Sequence, residues 1–343
     1  MIQKLTLKYF RNHSQLDLSF QKPFVYIYGP NGVGKTSILE SIYFLATTKS
    51  HRTHQERELI QKDQPFTQVK MKVGQDNYEI VMTKDGKRAK INQIEKRKIS
   101  DFVGNLQVVM FAPSDLDLIQ GSPSVRRHFL DFEILQRDKQ YLHDLTHYKQ
   151  ILKQRNALLK RLKIDDDPTF LNILGQQLYE VGVKLLQKRK MFCESLNELF
   201  KKSYQTFSQH DVQLLYQPDV DEQKFKKHLE TQQKQDIYYQ TTLAGPHRDD
   251  FLITFKGFDS KSYASTGETR LIVVALKLAL LKWIEKQTEQ PVILLLDDVL
   301  SELDEKIQNQ FLQALPKNHQ ILMNGVQKIQ LEDVQMIELT KGV

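Results

Sequence analysis

The sequence is poor in the features that stabilise secreted or membrane-embedded proteins. Cys193 is the single cysteine among 343 residues, which excludes an intrachain disulfide framework and fits a reducing compartment. The longest apolar run, residues 271–281, is interrupted by Lys277 and is too short to span a bilayer. The first seven residues alternate like a strand and lack the apolar stretch of a signal peptide. We therefore expect a cytoplasmic protein without a membrane partner.

The composition lacks the extremes that mark disordered chains. Hydrophobic residues make up 40% and charged residues 27% of the sequence, which is typical of a globular protein. The length suits about two domains. The net charge of +7 permits an anionic partner such as nucleic acid but does not require one.

The most specific motif is a phosphate-binding P-loop. It fits G-x-x-x-x-G-K-[ST] and consists of Gly29, Pro30, Asn31, Gly32, Val33, Gly34, Lys35 and Thr36. Glycines let backbone N–H groups point at phosphate oxygens, and a following helix adds its positive dipole end. Lys35 would reach the β- and γ-phosphates, Thr36 would hold Mg²⁺, and Ser37 would continue the phosphate-binding run. The pattern predicts ATP and Mg²⁺ as cofactors.

A Walker B pattern lies far down the chain. Residues 292–296 read as a buried strand that ends in Asp297 and Asp298. Because ligands gather at the carboxyl ends of parallel strands, Asp297 should hold Mg²⁺ beside the P-loop. Asp298 is placed to orient or deprotonate the attacking water, so Asp298 and Lys35 are the predicted catalytic residues.

Two further segments occupy positions at which ATP-binding-cassette proteins carry interface motifs. Ser265-Thr266-Gly267-Glu268 precedes Walker B by about thirty residues, like a signature motif, and residues 301–304 resemble a D-loop that ends in Asp304. The resemblance implies that Ser265, Gly267 and Asp304 contact nucleotide bound by another protomer. Such a site is complete only in a head-to-tail dimer with two ATP molecules between the protomers.

The patterning changes along the chain. Strand-like alternation dominates the first 115 residues, helical periodicity covers about 123–208, and strands return from about 241. A turn at 165–168 separates two helical series. These series predict a helical hairpin or short coiled coil, or two amphipathic helices on a bundle core.

The motif order resembles the SMC-like branch of the ATP-binding cassettes and, more closely, the RecF family of bacterial DNA replication and repair proteins. The segments that carry the resemblance are 49–53, 110–116, 121–131, 243–250 and 295–304. It implies an α/β fold, an ATP-binding-cassette P-loop ATPase head with a mixed sheet and helices, split by an α-helical insertion domain. The expected bounds are 1–120 and 241–343 for the head and 121–240 for the insertion.

The resemblance also implies a function. An ATP-dependent homodimer would bind DNA near junctions of duplex and single strands, help RecO and RecR to load RecA, and support the SOS response. Glu268 replaces the Gln usual in the signature, which places a carboxylate near a γ-phosphate. Asp298 is one methylene shorter than the Glu usual in related ATPases, so we expect weak, DNA-stimulated hydrolysis that serves as a switch, with a turnover below roughly 10 s⁻¹.

The predicted insertion carries most of the net charge. Residues 121–210 hold sixteen Lys and Arg against ten Asp and Glu. Basic helices of this kind contact DNA phosphates without reading sequence, although a solvated helix face is the simpler reading for any single residue. The predicted DNA-contacting residues are Lys149, Lys153, Lys160, Arg161, Lys163, Lys188, Arg189 and Lys190.

Alternative functions remain open at this point. A nucleotide-binding subunit of an ABC transporter is the main one, but no switch His follows the apolar stretch that ends at Asn324-Gly325. A P-loop kinase or GTPase would give the signature and D-loop no purpose, and the sequence contains no guanine-reading N-K-x-D. A chromosome-embracing SMC clamp would need far longer arms. The sequence leaves open whether His247 and Arg248 serve the nucleotide interface or the fold.

Overall fold

The computed structural model describes residues 1–53, 55–300, 303–329 and 332–340. The strands are β1 (Ile2–Phe10), β2 (His13–Ser19), β3 (Phe24–Tyr28), β4 (Phe66–Val73), β5 (Asp76–Thr83), β6 (Lys87–Ile91), β7 (Ile94–Glu95), β8 (Gln107–Phe111), β9 (Val212–Gln217), β10 (Asp250–Phe255), β11 (Phe258–Asp259), β12 (Val292–Leu296), β13 (Gln320–Gly325) and β14 (Gln335–Glu338). The α-helices are α1 (Lys35–Thr47), α2 (Asp117–Gln120), α3 (Pro123–Leu135), α4 (Lys139–Leu159), α5 (Thr169–Tyr204), α6 (Glu222–Thr231), α7 (Gln233–Tyr239), α8 (Ser260–Tyr263), α9 (Thr266–Glu285) and α10 (Glu305–Ala314).

The chain divides into two compact units. The head unit comprises 1–115 and 273–343, and the insertion unit comprises 116–272. The insertion unit is wider than the predicted 121–240 because β10 pairs along its whole length with β9, which ties 250–255 to the inserted segment. It is also not purely helical, since β9, β10 and β11 form a three-stranded antiparallel sheet.

A five-stranded parallel sheet organises the head unit, in the order β14-β3-β13-β12-β8. Strands β8, β12 and β13 are buried along their whole length, as expected for apolar runs inside a parallel sheet. Strand β13 lies between β3 and β12. The carboxyl ends of three neighbouring strands therefore bring the segments that follow Tyr28, Leu296 and Gly325 to one edge.

A six-stranded antiparallel sheet completes the head unit, in the order β2-β1-β4-β5-β6-β7. Helix α1 packs against strands of both sheets and is buried on nearly all of its faces. A helix that is apolar around its circumference belongs in a protein core. The helix that follows the P-loop is thus a rigid support for the loop.

The long helices α4 and α5 pack against each other in the insertion unit. Tyr141 near the start of α4 meets Arg189 of α5, and Tyr148 further along α4 lies beside Gly182 of α5. Because the contact moves backwards along α5 as it moves forwards along α4, the helices are antiparallel. The helical hairpin that the periodicity predicted is present, and it rests on further helices and on the small sheet.

The described residues include no helix that is long and apolar enough to cross a membrane.

Candidate functional site

The P-loop connects β3 to α1 and depends on glycine geometry. Gly29, Gly32 and Gly34 have φ angles of 152°, 81° and 104°, a region that other residues rarely adopt. A Cβ on Gly29 would approach the Leu339 carbonyl oxygen to 2.3 Å, and one on Gly34 would approach His13 Nε2 to 2.3 Å. At Gly29 and Gly34 the loop therefore lies too close to its surroundings to accommodate a side chain.

Lys35 is folded back onto its own loop. Its ammonium group donates hydrogen bonds to the carbonyls of Gly29 and Pro30 at 2.7 and 2.8 Å. Burial lowers the pKa of Lys35, while the nearby carboxylates Asp298 and Asp297 oppose that effect. An ammonium group that is largely removed from water and held by two neutral carbonyls is well placed to exchange one of them for an anionic phosphate oxygen.

The P-loop and the Walker B strand meet through one hydrogen bond. The Thr36 hydroxyl donates to Asp297 Oδ1 at 2.8 Å, and Asn324 Nδ2 donates to the same oxygen at 2.6 Å. Burial raises the pKa of Asp297, although both hydrogen bonds counteract it. Hydroxyl and carboxylate oxygens are the hard donors that Mg²⁺ prefers. The two side chains predicted to hold Mg²⁺ are therefore adjacent, and the donor set fits that ion.

Asp298 is held in an unusual backbone conformation. Its φ angle is 52°, in the left-handed region, and its N–H donates to Asn324 Oδ1 at 2.7 Å. Backbone strain of this kind persists where surrounding contacts impose it and often occurs in active sites. Asn324 thus orients both acidic residues, one through its NH₂ group and one through its carbonyl oxygen.

These groups line a cleft of about 340 Å³. Its walls are formed by Asn12, Asn31, Gly32, Gly34, Lys35, Thr36, Ser37, Arg52, Asp298, Asn324 and Val326. Sequence reasoning did not assign Asn12, Arg52 or Asn324 to the site. Asn324 could have been found, because it is the second-last residue of β13, the strand between the P-loop strand and the Walker B strand. Asn12 and Arg52 lie in loops whose folding the sequence pattern does not indicate.

Arg52 belongs to a loop anchored by a buried carboxylate. Glu40 of α1 is fully buried, accepts two hydrogen bonds from Arg11 and one from the Ser50 hydroxyl, and lies 3.7 Å from Arg52. Burial alone would raise the pKa of Glu40, but the hydrogen bonds from Arg11 and Ser50 and the charge of Arg11 lower it overall. A charged Glu40 therefore fixes residues 50–52 next to the cleft.

The signature segment begins helix α9 with a capping box. The Glu268 N–H donates to the Ser265 hydroxyl at 3.3 Å, and the Glu268 carboxylate accepts from the Ser265 N–H at 2.8 Å. Lys256 lies 3.6 Å from the same carboxylate. The backbone hydrogen bond from Ser265, together with Lys256, lowers the pKa of Glu268. The carboxylate that seemed misplaced beside a γ-phosphate is therefore engaged in capping the helix.

Gly267 and Asp304 also lie at helix starts. Gly267 is exposed, and a Cβ there would meet no atom within 4 Å. Asp304 caps α10 by accepting a hydrogen bond from the Ile307 N–H at 3.0 Å. Ser301 and Glu302, the first half of the predicted D-loop, lie outside the described residues.

The basic residues of the insertion unit fall into two groups. Most are exposed: Lys149, Lys153, Lys160, Arg161, Lys163, Lys188 and Lys190. Lys188 is also paired with Asp138 at 2.6 Å.

The prediction that Arg189 contacts DNA is wrong. Arg189 is only 2% exposed and is bound by Asp131 and Asp249, each at 2.7 Å, and by the Pro246 carbonyl. Helical periodicity places this position on the buried face of α5, and the charge is tolerated there because carboxylates surround it.

His247 is part of the insertion unit's interior. Its Nδ1 accepts a hydrogen bond from the Tyr148 hydroxyl at 2.8 Å, and its Nε2 donates to the Thr242 carbonyl at 3.0 Å. Burial lowers the pKa of His247, which keeps the ring neutral with both nitrogens in use. Arg248 is half-exposed, 3.6 Å from Asp219. Of the two roles left open for His247, these contacts favour the structural one.

Comparison with known proteins gives full-length matches. The RecF/RecN/SMC N terminal domain family matches residues 1–341. The chain is 53% identical to the DNA replication and repair protein RecF of Acholeplasma laidlawii (strain PG-8A), over 100% of this chain and 98% of the relative. It is 37% identical to the RecF of Bacillus cereus (strain G9842), over 99% and 97% of the two chains.

Solved structures agree with the sequence matches. The recombination mediator protein RecF-ATP in the RecFOR pathway has a TM-score of 0.92 and 30% identity, over 100% of this chain and 96% of that one. An SmcHead bound to the C-winged helix domain of ScpA, at 16% identity and a TM-score of 0.53, shares the fold alone. The predicted ATP-binding-cassette fold is confirmed, and the transporter alternative is not favoured. The chain belongs to the RecF family of DNA replication and repair proteins, within the RecF/RecN/SMC group.

Proposed function

We propose that this protein is an ATP-dependent DNA-binding switch of recombinational repair. ATP and Mg²⁺ would close two copies head to tail on DNA at gaps or at junctions of single and double strands. Slow hydrolysis would then release the DNA. In this role the protein would act with RecO and RecR to load RecA and would support the SOS response. The RecFOR pathway named for the structural relative supports this assignment.

The observation that carries the proposal is the Thr36–Asp297 hydrogen bond beneath the P-loop. It joins the two predicted Mg²⁺ ligands next to Lys35, in a fold that matches the structure of RecF-ATP in the RecFOR pathway over its full length. ATP–Mg²⁺, when bound to one protomer, would supply the phosphate charge that the signature segment of the other protomer contacts. Lys35 would exchange one loop carbonyl for a phosphate oxygen, and Asp298 would orient the attacking water.

The dimer is inferred from the exposed capping box at Ser265. Ser265, Thr266 and Gly267 are exposed at this helix start, where the positive end of the helix dipole favours an anion from another molecule. We assign nucleotide binding to the P-loop and Walker B residues of the head unit, and DNA binding to the insertion unit, whose long helices bear the exposed lysines.

Sedimentation velocity with ATP, with and without DNA, tests the proposal. We expect wild type to dimerise with ATP, and Lys35→Ala to remain monomeric. Gly267→Ala is a sharper second variant, because the added methyl meets open space within one chain but would approach nucleotide held by a partner. The proposal would be overturned if wild type remained monomeric in the presence of ATP. It would also be overturned if Lys35→Ala dimerised with ATP.

A further inference from the structure

Two adjacent tyrosines project from the end of α7. Tyr238 and Tyr239 are 72% and 62% exposed, and their rings stand at 90° with centroids 5.0 Å apart. Large aromatic side chains normally bury most of their surface, and exposed pairs commonly mark contact sites. In such a perpendicular pair the edge of one ring points at the face of the other, and both residues here remain largely exposed.

The tyrosines are held over the second half of α4 by anchors on both sides. On the N-terminal side of the tyrosines, the Asp236 carboxylate forms an ion pair with the buried Arg155 at 2.8 Å. After them, Thr242 donates two hydrogen bonds to Asn156, at 2.9 Å from its N–H and 2.7 Å from its hydroxyl. Because neighbouring residues of α4 hold both ends, the segment that bears Tyr238 and Tyr239 is fixed on that helix.

Exposed lysines lie on or beside the two helices that hold this segment. Lys153 and Lys160 are exposed and lie three residues before and four residues after Asn156, so they share its face of α4. Lys234 is exposed on α7. Residues 149–163 contain no acidic side chain. The basic stretch ends at Asp165, Asp166 and Asp167; Asp166 accepts a hydrogen bond from the Lys163 N–H, and Asp167 accepts one from the Thr169 N–H.

We propose that Tyr238 and Tyr239 form a stacking platform for unpaired bases of single-stranded DNA, whose phosphates contact Lys153, Lys160 and Lys234. Aromatic rings beside a cationic groove are the recurrent means of binding a single strand without reading its sequence. Bases inside a duplex offer no free face, so the platform selects unpaired nucleotides. This inference rests on the proposed DNA-binding function. It names unpaired bases as the part of DNA that this surface binds.

Fluorescence anisotropy with the full chain and ATP tests the platform. The probes are a fluorescein-labelled oligothymidylate, an abasic oligonucleotide of the same length, and a matched blunt duplex. We expect Tyr238→Ala/Tyr239→Ala to weaken oligothymidylate binding by about tenfold or more, and duplex binding by less than about twofold. The Tyr238→Phe/Tyr239→Phe variant keeps both rings and should bind like wild type.

The abasic probe separates stacking from a folding defect. Wild type should lose affinity for it relative to oligothymidylate, whereas the double alanine variant should bind both equally. Phe258→Ala, at a 56% exposed aromatic outside the platform, serves as the matched control and should change nothing.

Two results would overturn the platform. One is unchanged oligothymidylate binding by the alanine variant; the other is an equal loss on all three probes. Either result would leave the proposed function standing if wild type dimerises with ATP and binds duplex DNA, whereas a wild type that binds no DNA would refute both.

Discussion

The Thr36 hydroxyl and the Asp297 carboxylate lie 2.8 Å apart, although 261 positions separate them in the chain. Asn324 holds that carboxylate at 2.6 Å and accepts the Asp298 N–H at 2.7 Å. One neutral side chain from the strand between P-loop and Walker B therefore sets the direction of both acidic groups. The order of the sheet brings these four residues together.

Asn324→Ala should weaken Mg²⁺ binding without removing a predicted ligand. Partners that orient ligands typically contribute about 10- to 100-fold to metal affinity or activity. We expect a loss of that size in the Mg²⁺ dependence of binding to a fluorescent ATP analogue. The same variant in EDTA is the control and should bind nucleotide like wild type. Equal Mg²⁺ dependence of both proteins would refute the orienting role.

Gly29→Ala should be more harmful than Gly32→Ala. Both glycines have positive φ angles that an alanine rarely adopts, 152° at Gly29 and 81° at Gly32. Only at Gly29 would the new Cβ also collide with the Leu339 carbonyl, since no atom lies within 4 Å at Gly32. Urea denaturation of the two variants checks the difference. Equal losses in the free energy of unfolding would show that the contact with Leu339 does not matter.

His51 should make the protein less stable in mild acid. Burial lowers its pKa from 6.5 to about 4; Glu40 opposes this effect, and Arg52, Lys277 and Arg11 reinforce it. The unfolded state then binds more protons between pH 6.5 and 4, so stability falls as the pH falls through that window. From pH 7.5 to pH 5 the loss should be about 2 kcal/mol.

His51→Phe provides the comparison, because it keeps a ring edge against Tyr43 and cannot titrate. Urea denaturation at several pH values should show a shallower pH slope for this variant above pH 5. Parallel slopes would assign the acid sensitivity to other groups.

Arg189→Met should destabilise the insertion unit by about 3–5 kcal/mol. The substitution leaves the Asp131 and Asp249 carboxylates without their buried partner, and Tyr216 shares Asp249. Chemical denaturation followed by circular dichroism measures the effect. Lys190→Met, at the exposed neighbouring position, should stay within about 0.5 kcal/mol of wild type. Similar stability of the two variants would contradict the buried network.

Replacing Lys160, Arg161 and Lys163 together by alanine should weaken DNA binding and flatten its salt dependence. Each lost phosphate contact lowers the slope of log affinity against log salt by about 0.9 for duplex DNA. The matched control replaces Lys224, Lys226 and Lys227 of α6, which removes the same charge. An unchanged slope in the first triple variant would exclude this end of α4 from the DNA interface.

Strands and helices with a clear hydrophobic periodicity or a recognisable motif could be predicted from the sequence. The buried run before Asp297 and the P-loop needed no tertiary information, because parallel-strand burial and phosphate chemistry each leave a local pattern. Strand β9 was missed because it pairs with β10, more than thirty residues away. A short segment with polar residues at its ends becomes a strand only when a partner strand pairs with it.

The misassigned residue, Arg189, shows another limit of sequence reasoning. The local run of basic residues suggested that Arg189 is an exposed cation. In the fold, the carboxylates of Asp131 in α3 and of Asp249 before β10 surround it. Sequence spacing tells which face of a helix a residue occupies but not what packs against that face. Arg52 and Asn12 were missed for the same reason, since loop positions acquire a neighbour only when the fold is complete.

The position of β3 in its sheet bears on the order of events during synthesis. Its two neighbours are β13 and β14, which comprise residues 320–325 and 335–338. A chain still emerging from the ribosome thus carries its P-loop for almost 300 residues before the flanking strands exist. The sheet that supports the P-loop is therefore incomplete until residues 320–338 have been synthesised.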